Sequence, residues 1–398
     1  MKNYKLADLP LKLSEKSPYH YTSAHRALPQ ESRFVFRDGV WEQKVPGKDG
    51  EALLMCAGDL MCEPVMSESY YFDGEYYFKP CFKYVRKVLK EADLVTANLE
   101  TMVTDDFPYA HEMHVLEYGD SWRYLCNAPT AYLDALRYAG FDAFAMANNH
   151  ACDLGYDGIV QTIDNVRKWG FMATGAFREE TDCRILHVRV NGIRIAMLSY
   201  TEFINRKLHT VALTEEGARV MTNLYDPDAV RRDVAQAKAE GAELVLVYCH
   251  FRGVEYTNDV LPATRQSARE IAECGADIVM GSHMHAIQGY EAIETSDGRR
   301  VPVIYSLSNF ICSDRHPETR DNLIYCVKLQ RKDGRVVIAE ESYVPCHNIE
   351  FPDRFGDVLF PIPKRYLEWE GCDGTAKLLD AAKERIAEIV GDGIKIRE

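Results

Sequence analysis

Alternation of short apolar segments with segments of helical periodicity, which begins near Ala52, is the feature of this sequence that most constrains its fold. Six apolar segments are short enough to be buried strands, and polar residues follow each of them. These segments are Ala52–Ala57, Asp93–Ala97, Phe141–Ala147, Leu244–Cys249, Ile278–Met280 and Val301–Leu307. Alternation of this kind is typical of an α/β fold.

The polar residues that follow these strands are carboxylates, imidazoles and amides. They are Asp59, Glu100, Asn149, His150, His250, His283, His285 and Asn309. In open α/β sheets the ligand site lies beyond the carboxyl ends of the strands, so we expect these side chains to meet at one rim. Carboxylate, imidazole and amide oxygen together suit a divalent ion such as Mn²⁺, Fe²⁺, Zn²⁺ or Mg²⁺.

The segment Gly275–Gln288, GADIVMGSHMHAIQ, carries two of these histidines one residue apart. In an extended segment, residues i and i+2 point to the same side with Cα atoms roughly 6.5–7 Å apart. His283 and His285 could therefore each bind one ion of a metal pair, whose members are typically about 3.5–4 Å apart.

Each of these residues also has a structural interpretation when it is taken alone. Asp59 follows Gly58 and could cap a turn, Asn148 and Asn149 could form a tight turn before a helix, and His250 could be a hydrogen-bonded core histidine. The shared position of all of them at strand ends is what favours a metal site.

Composition limits the classes of partner. The chain has 398 residues, 46% of them hydrophobic and 27% charged, as in ordinary globular proteins. Its formal net charge of −14 argues against binding to nucleic acid or to an anionic membrane. A polyanionic substrate would need metal ions or a local basic patch. The twelve cysteines are scattered, which indicates buried reduced thiols rather than a disulfide framework.

The ends of the chain predict location and domain organisation. The first residues contain no continuous apolar segment and the chain has no run of eighteen apolar residues, which predicts an unanchored cytoplasmic protein. A cell-surface protein that has lost its signal segment remains the alternative. We predict an extension over 1–50 with a hairpin at Arg33–Lys44, a main domain over 51–345, and an extension over 346–398 with a helix near Thr375–Val390.

Three further local structures are predicted between the strands. Arg184–Tyr200 is a hairpin about an Asn-Gly turn, and Tyr77–Glu91 has the spacing of a helix. The sequence HEMH at His111–His114 is one residue shorter than the zinc-binding pattern H-E-x-x-H, so we interpret it as a solvated loop.

Six blocks of sequence together resemble a known family. They are GDLMCEP, DLVTANLET, MANNHACDLGYDG, HFRGVEY, GADIVMGSHMHAIQ and YSLSNF, in this order over Gly58–Phe310. They resemble the CapA family of capsule and poly-γ-glutamate biosynthesis proteins, which is similar to the calcineurin-like metallophosphoesterases. The resemblance implies an α/β sandwich of two facing mixed β-sheets flanked by helices, with the site at the strand ends.

The resemblance also implies roles for individual residues. One ion would be bound by Glu100, Asn149, His250 and His283, and the other by Asp59, Glu100 and His285. His150 would act on the substrate, with Asp153 orienting its ring. Met61 stands where metallophosphoesterases carry a histidine, and a thioether is a poor ligand for hard ions, so the expected cofactor is one or two divalent ions.

The function implied is a metal-dependent hydrolase of a phosphoester or γ-glutamyl bond, in which Arg252, Glu255 and Asn309 bind the substrate. Its partners would be an acidic polymer or phosphoester and a membrane complex of capsule synthesis. The alternative of a different class is a non-catalytic, metal-containing protein of polymer binding or export, and a third interpretation is a metal-free structural relic.

Overall fold

The computed structural model describes residues 31–72, 74–110, 125–205, 211–312, 316–351, 356–366 and 373–398. The predicted loop at His111–His114 lies outside these ranges. The strands are β1 Phe34–Arg37, β2 Val40–Gln43, β3 Glu51–Leu60, β4 Tyr71–Phe72, β5 Glu75–Tyr76, β6 Leu94–Leu99, β7 Met102–Val103, β8 Asn127–Ala128, β9 Ala143–Ala145, β10 Met172–Thr174, β11 Leu186–Val190, β12 Ile193–Thr201, β13 Leu244–His250, β14 Ile278–Ser282, β15 Ile287–Glu294, β16 Arg300–Leu307, β17 Asn309–Ile311, β18 Asp321–Lys332, β19 Arg335–Phe351, β20 Gly356–Pro361 and β21 Lys395–Ile396. The α-helices are α1 Pro64–Ser69, α2 Arg86–Leu89, α3 Ala131–Ala139, α4 Gly155–Lys168, α5 Glu215–Met221, α6 Pro227–Ala239, α7 Pro262–Glu273 and α8 Asp373–Val390.

Two large mixed sheets form the molecule. The first sheet has eight strands in the order β1-β2-β11-β12-β13-β14-β16-β15, and its centre from β12 to β16 is parallel. The second sheet has nine strands along the path β10-β9-β6-β3-β18-β19-β20, with β17 beside β3 and β21 beside β19. Strands β3, β6, β9 and β10 are parallel to one another, whereas β18 is antiparallel to β3.

The two sheets face each other across one apolar core. This core joins residues of the second sheet, such as Leu54 and Val327, to residues of the first sheet, such as Leu246 and Met280. A buried hydrogen bond of 2.9 Å between Thr96 Oγ1 and Tyr248 Oη crosses the same space. The prediction of two facing mixed sheets is therefore confirmed.

Helices cover the outer faces of the sheets. Residues of α3 and α4 pack with the outer face of the second sheet, and residues of α6 and α7 pack with the outer face of the first. Helix α6 begins where the Asp226 side chain accepts from the Asp228 amide and Pro227 occupies the first turn. Helix α3 ends at Gly140, whose φ of 113° is the left-handed conformation that glycine adopts readily. The helix predicted near Thr375–Val390 is also present, as α8.

The predicted hairpins are present, and they extend the sheets. Strands β1 and β2 pair about Asp38-Gly39, and β2 then pairs with β11, so the N-terminal hairpin forms the edge of the first sheet. Strands β11 and β12 form the hairpin about Asn191-Gly192. Strand β19 runs from Arg335 to Phe351 and thus crosses the domain boundary predicted at 345.

The prediction of one continuous helix over Tyr77–Glu91 is wrong. A 3₁₀ turn at Lys79–Phe82 is followed by the single turn of α2. Several backbone hydrogen bonds in this segment span three residues, as between the Val88 amide and the Val85 carbonyl at 3.0 Å. Apolar residues every three or four positions face the core in such tight turns as well as in an α-helix, so the periodicity did not distinguish them.

No disulfide joins any of the eleven described cysteines, and all of these except Cys183 are buried. Among the described helices, none has the length and apolar character needed to cross a membrane.

Candidate metal centre

The two carboxylates of the site lie side by side beneath the rim of the second sheet. Asp59 belongs to the end of β3, and Glu100 follows β6; both are fully buried. Asn98 lies between them, and its Nδ2 donates to Asp59 Oδ1 at 2.8 Å and to Glu100 Oε2 at 3.1 Å. One amide group therefore fixes one oxygen of each carboxylate.

Two histidines of the first sheet face these carboxylates. His250 ends β13; its Nδ1 lies 2.9 Å from Ser282 Oγ, and its Nε2 lies 3.5 Å from Glu100 Oε1. The Nδ1 of His285 lies 3.4 Å from Asp59 Oδ2, and its Nε2 lies 3.9 Å from Glu100 Oε1. The strand ends of both sheets therefore meet at one buried point.

His283 and His285 have unusual backbone conformations. Their φ angles are 97° and 57°, in a region that residues other than glycine seldom adopt. In this conformation the His283 amide donates to Asp59 Oδ2 at 3.3 Å, and its ring lies 4.9 Å from that of His250. Such strain costs on the order of 1–3 kcal/mol per residue and is concentrated at functional sites.

Several buried ligand atoms in this cluster have no hydrogen-bond partner among the residues that the structure describes. They are Glu100 Oε1, Asn149 Oδ1, His250 Nε2 and His283 Nδ1. An unsatisfied buried polar atom costs about 1–3 kcal/mol, so four in one place need an explanation. All four are atoms that coordinate divalent cations in proteins, and the donor set therefore fits such an ion.

Two groups of side chains in the cluster are close enough to share an ion. Glu100 lies with His283 and His285, and Asp59 lies with Glu100 and His250; in each group the ligand atoms are within 4.8 Å of one another. The resemblance to the metallophosphoesterases divided the histidines differently, with His283 and His285 on separate ions. Glu100 is shared between the two groups in both arrangements.

Burial sets the protonation of the cluster. Burial, and then the charge of Asp59, raise the pKa of Glu100 well above its ordinary value. Burial, and then the neighbouring histidines, lower the pKa of His250 far below its ordinary value and that of His283 to about 3. For His285 burial lowers the pKa, but the hydrogen bond and charge of Asp59 outweigh it and the net shift is upward. Neutral His250 and His283 have the free lone pair that a metal ligand needs.

His150 and Asp153 form a hydrogen-bonded pair beside the cluster. His150 Nδ1 lies 2.6 Å from Asp153 Oδ2, and the same oxygen accepts from the Cys126 amide at 2.8 Å. Both side chains lie in the turns between β9 and α4 and are almost fully buried. The ring is therefore held in one orientation with its Nε2 directed away from Asp153.

The three predicted substrate-binding residues have different environments. Arg252 is exposed, and its guanidinium lies 5.4 Å from the centre of the Phe203 ring. Glu255 is also exposed, with Oε1 4.0 Å from His283 Nε2. Asn309 is fully buried, and its Oδ1 lies 2.8 Å from His285 Nδ1, a position that orients a candidate metal ligand.

Met61 packs beside the site with two cysteines. Its side chain is 8% exposed and forms a small apolar cluster with Cys126 and Cys312. The Cys126 Sγ atom also lies within 4.8 Å of ligand atoms of His150 and Asp153, so a soft sulfur adjoins that pair.

Sequence reasoning missed Asn98 and the residues after β12. Asn98 precedes Glu100 by two positions in an extended segment, so the period of two could have identified it as a neighbour on the same side. Phe203 and Asn205 follow β12, which is parallel to β13 and ends at the same rim. The Phe203 ring lies 4.7 Å from that of His283, and Asn205 Nδ2 lies 3.5 Å from His150 Nδ1.

Two solved structures show a distant likeness to the whole molecule. The calcineurin-like phosphoesterase YfkN from Bacillus subtilis has a TM-score of 0.43 at 14% identity, over 85% of this chain and 98% of that chain. The sulfate thiohydrolase SoxB from Thermus thermophilus has a TM-score of 0.43 at 10% identity, over 87% of this chain and 61% of that chain.

Curated relatives are closer in sequence. The "PGA biosynthesis protein CapA" of Bacillus subtilis (strain 168) is 29% identical over 255 residues, which are 63% of this chain and 61% of that protein. The "Capsule biosynthesis protein CapA" of Bacillus anthracis is 28% identical over 302 residues, which are 74% of this chain and 68% of that protein. The match thus spans roughly two thirds of each relative.

The family model described as "Bacterial capsule synthesis protein PGA_cap" matches residues 53–314. This range contains every residue of the buried cluster, from Asp59 to Asn309. The chain belongs to the family of bacterial capsule synthesis proteins PGA_cap.

Proposed function

We propose that this protein is a divalent-metal-dependent hydrolase of capsule or poly-γ-glutamate synthesis that cleaves a phosphoester or a γ-glutamyl bond. The observation that supports the proposal most directly is the set of four buried ligand atoms that have no hydrogen-bond partner among the described residues. They lie in the cluster that contains the buried carboxylates of Asp59 and Glu100. The names of the two CapA relatives, which refer to PGA biosynthesis and to capsule biosynthesis, support the proposed role in the synthesis of a capsule polymer. A membrane complex of capsule synthesis and a cytoplasmic location are part of the same proposal.

The residues that would hold the metal are Asp59, Glu100, Asn149, His250, His283 and His285. A divalent ion at this position supplies an acidified water and polarises the bond to be cleaved. The remaining buried groups prepare the ligands, since Asn98 fixes both carboxylates, and Ser282 and Asn309 fix the rings of His250 and His285.

His150 would supply the proton for the leaving group. Its Nδ1 is engaged by Asp153 at 2.6 Å, so its Nε2 is the nitrogen that can hold a proton for the substrate. The Asp153 carboxylate fixes the orientation of the ring, and general acid catalysis of this kind contributes about 10²–10⁴-fold to a rate. Arg252 at the exposed edge would bind an anionic part of the substrate.

The test combines metal analysis with turnover. We would measure bound metal in the purified protein and the hydrolysis of p-nitrophenyl phosphodiesters, monoesters and γ-glutamyl-p-nitroanilide with Mn²⁺ added. His250→Ala should lose both metal and turnover, whereas His150→Ala should keep metal and lose turnover. His187→Ala is the matched control, since His187 is buried but bonds Glu240 outside the site. Full metal content and full turnover in His250→Ala would reject the proposed ligand set.

The second candidate is a non-catalytic protein that binds or exports an acidic polymer. The sulfur cluster of Met61, Cys126 and Cys312 favours it, because Met61 is a poor ligand for a hard second ion. One tightly bound ion, polymer binding and no turnover on any of the three substrates would support this candidate over the hydrolase.

A further inference from the structure

A cleft of about 240 Å³ lies directly beside the metal centre, and we call it the side cleft. Its lining includes Phe203, Asn205 and Arg219. Asn205 touches the centre, because its Oδ1 accepts from Asn149 Nδ2 at 3.4 Å and its Nδ2 lies 3.5 Å from His150 Nδ1. A molecule in the side cleft would therefore adjoin both a candidate metal ligand and the candidate general acid.

Two arginines that line the side cleft have guanidinium N–H groups that no described residue engages. Arg219 is exposed on α5 and forms no hydrogen bond or ion pair with its side chain among the described residues. The guanidinium of Arg252 makes one long hydrogen bond of 3.4 Å, to the Glu202 carbonyl, and lies near the Phe203 ring. Planar guanidinium groups bind carboxylate and phosphate through paired hydrogen bonds.

Two acids also line the side cleft. The carboxylate of Glu202 is engaged at both oxygens, by the Arg252 amide and by Ser267 Oγ. Glu215 lies four residues before Arg219 on α5, and within the described residues it forms no ion pair with Arg219 or any other cation. Within the described residues neither Glu215 nor the Arg219 guanidinium has an ionic partner, so the side cleft offers one negative and one positive group to a ligand that carries both charges.

We propose that the side cleft binds the α-amino-acid end of the substrate, with its carboxylate on Arg219 and Arg252 and its ammonium group on Glu215. The inference rests on the proposed function, because the side cleft adjoins the candidate ligand Asn149 and the candidate general acid His150 through Asn205. A phosphate carries more negative charge and would be repelled more strongly by Glu202 and Glu215, which favours the singly charged carboxylate.

Binding without turnover tests the inference. We would titrate γ-linked diglutamate into the full-length, EDTA-treated protein by calorimetry, so that no metal-dependent cleavage interferes. Arg219→Gln should raise the Kd about tenfold or more, as expected for loss of a charge-assisted hydrogen bond. Arg335→Gln removes the same charge from an exposed position at the start of β19 and should leave the Kd unchanged.

A second variant tests the ammonium site. Wild type should bind the free-amine peptide more tightly than its N-acetyl form, and Glu215→Gln should abolish this preference. Equal Kd values for wild type and Arg219→Gln, or no binding by wild type, would overturn the inference. Tighter Arg219-dependent binding of inorganic phosphate than of the peptide would overturn it in favour of a phosphate site.

The two proposals can fail separately. Arg219-dependent peptide binding together with no turnover on any substrate in the Mn²⁺-loaded protein would reject the hydrolase and keep the amino-acid site. Turnover of phosphodiesters without Arg219-dependent peptide binding would keep the hydrolase and reject the amino-acid site. Arg219 and Glu215 are exposed, so both variants should fold, and circular dichroism checks this.

Discussion

Asn98 Nδ2 lies 2.8 Å from Asp59 Oδ1, within a fully buried part of the site. The same nitrogen donates to Glu100, and Asn98 Oδ1 in turn accepts from Asn148 Nδ2 at 3.2 Å. Two adjacent amides thus hold two carboxylates that would otherwise repel each other. The geometry of the candidate metal ligands depends on a residue that is not itself among them.

Asn98→Ala should therefore weaken metal binding. Residues that orient metal ligands typically contribute 10–100-fold to affinity, and we expect a loss of about 10-fold or more for Mn²⁺ in competition with a fluorescent chelator. Asn165→Ala is the control, because Asn165 donates to the Val103 carbonyl and touches none of these ligands. An unchanged affinity of Asn98→Ala for Mn²⁺ would show that metal binding does not depend on the hydrogen bonds from Asn98 to Asp59 and Glu100.

Glu100→Gln should stabilise the metal-free protein. Burial, and then Asp59, raise the pKa of Glu100, so the folded state binds its proton more tightly than the unfolded chain does. The stability of the metal-free protein then falls as pH rises above the unfolded carboxyl pKa of about 4.3, and the penalty is present at pH 7.

We expect Glu100→Gln to have a higher Tm than wild type in EDTA at pH 7, and a smaller rise in Tm when Mn²⁺ is added. Scanning calorimetry measures both quantities. Glu388→Gln removes an exposed carboxylate and serves as the control. A lower Tm of Glu100→Gln in EDTA would contradict the assigned direction.

Asp153→Asn should reduce turnover without loss of metal. The change removes the carboxylate that fixes the orientation and tautomer of the His150 ring, and we expect a fall in kcat of about 100-fold or more. The double variant His150→Ala/Asp153→Asn should be no slower than His150→Ala, because the two residues act as a unit. Additive losses would indicate that Asp153 acts independently of His150.

Gly58→Ala should destabilise the protein strongly. A Cβ atom at Gly58 would lie 2.0 Å from the Ser308 carbonyl oxygen, and backbone cannot move aside as a flexible side chain can. Overpacking costs about 1–3 kcal/mol, and we expect a loss near the upper end of this range in urea unfolding. Gly334→Ala is the comparison, because it introduces a methyl group where nothing lies within 4 Å. Gly334 has a positive φ, unlike Gly58, so we expect this change to lower the free energy of unfolding by about 1 kcal/mol. Equal losses would argue against the close approach at Gly58.

Among the described cysteines, Cys183 should react fastest with a thiol reagent. Burial raises the pKa of Cys56 to about 11, and burial followed by the charge of Asp153 raises that of Cys152 to about 12, so neither forms a reactive thiolate at pH 8. Cys183 is the exposed cysteine among those described. In a Cys372→Ser background, which removes a cysteine outside the described residues, native protein should react with a thiol reagent at one site. Cys183→Ser should abolish that reaction. Fast labelling of the protein that lacks Cys183 would contradict the burial of the other described cysteines.

Strand ends in the sequence, rather than single motifs, predicted which side chains of the candidate site lie close together. Asp59, Glu100, His250 and His285 are far apart in the chain, yet each follows or ends a buried strand, and the structure brings them together. Parallel strands place their carboxyl ends on one edge, which makes this convergence predictable. The helix expected over Tyr77–Glu91 failed because a periodicity of three to four residues also suits short turns.

By itself, the sequence determined the alternation of strands and helices and the type of ligand at the rim, because these depend on local apolar periodicity and on the chemistry of each residue, whereas the two facing sheets were implied by the family resemblance. Tertiary structure alone decided which atoms have no hydrogen-bond partner among the described residues, as at His250 Nε2, and which cations line the side cleft, as at Arg219. These properties depend on distances between residues far apart in the chain. Helix α5 carries Arg219 into the lining of the side cleft only through the packing of the whole fold, and no local pattern encodes that position.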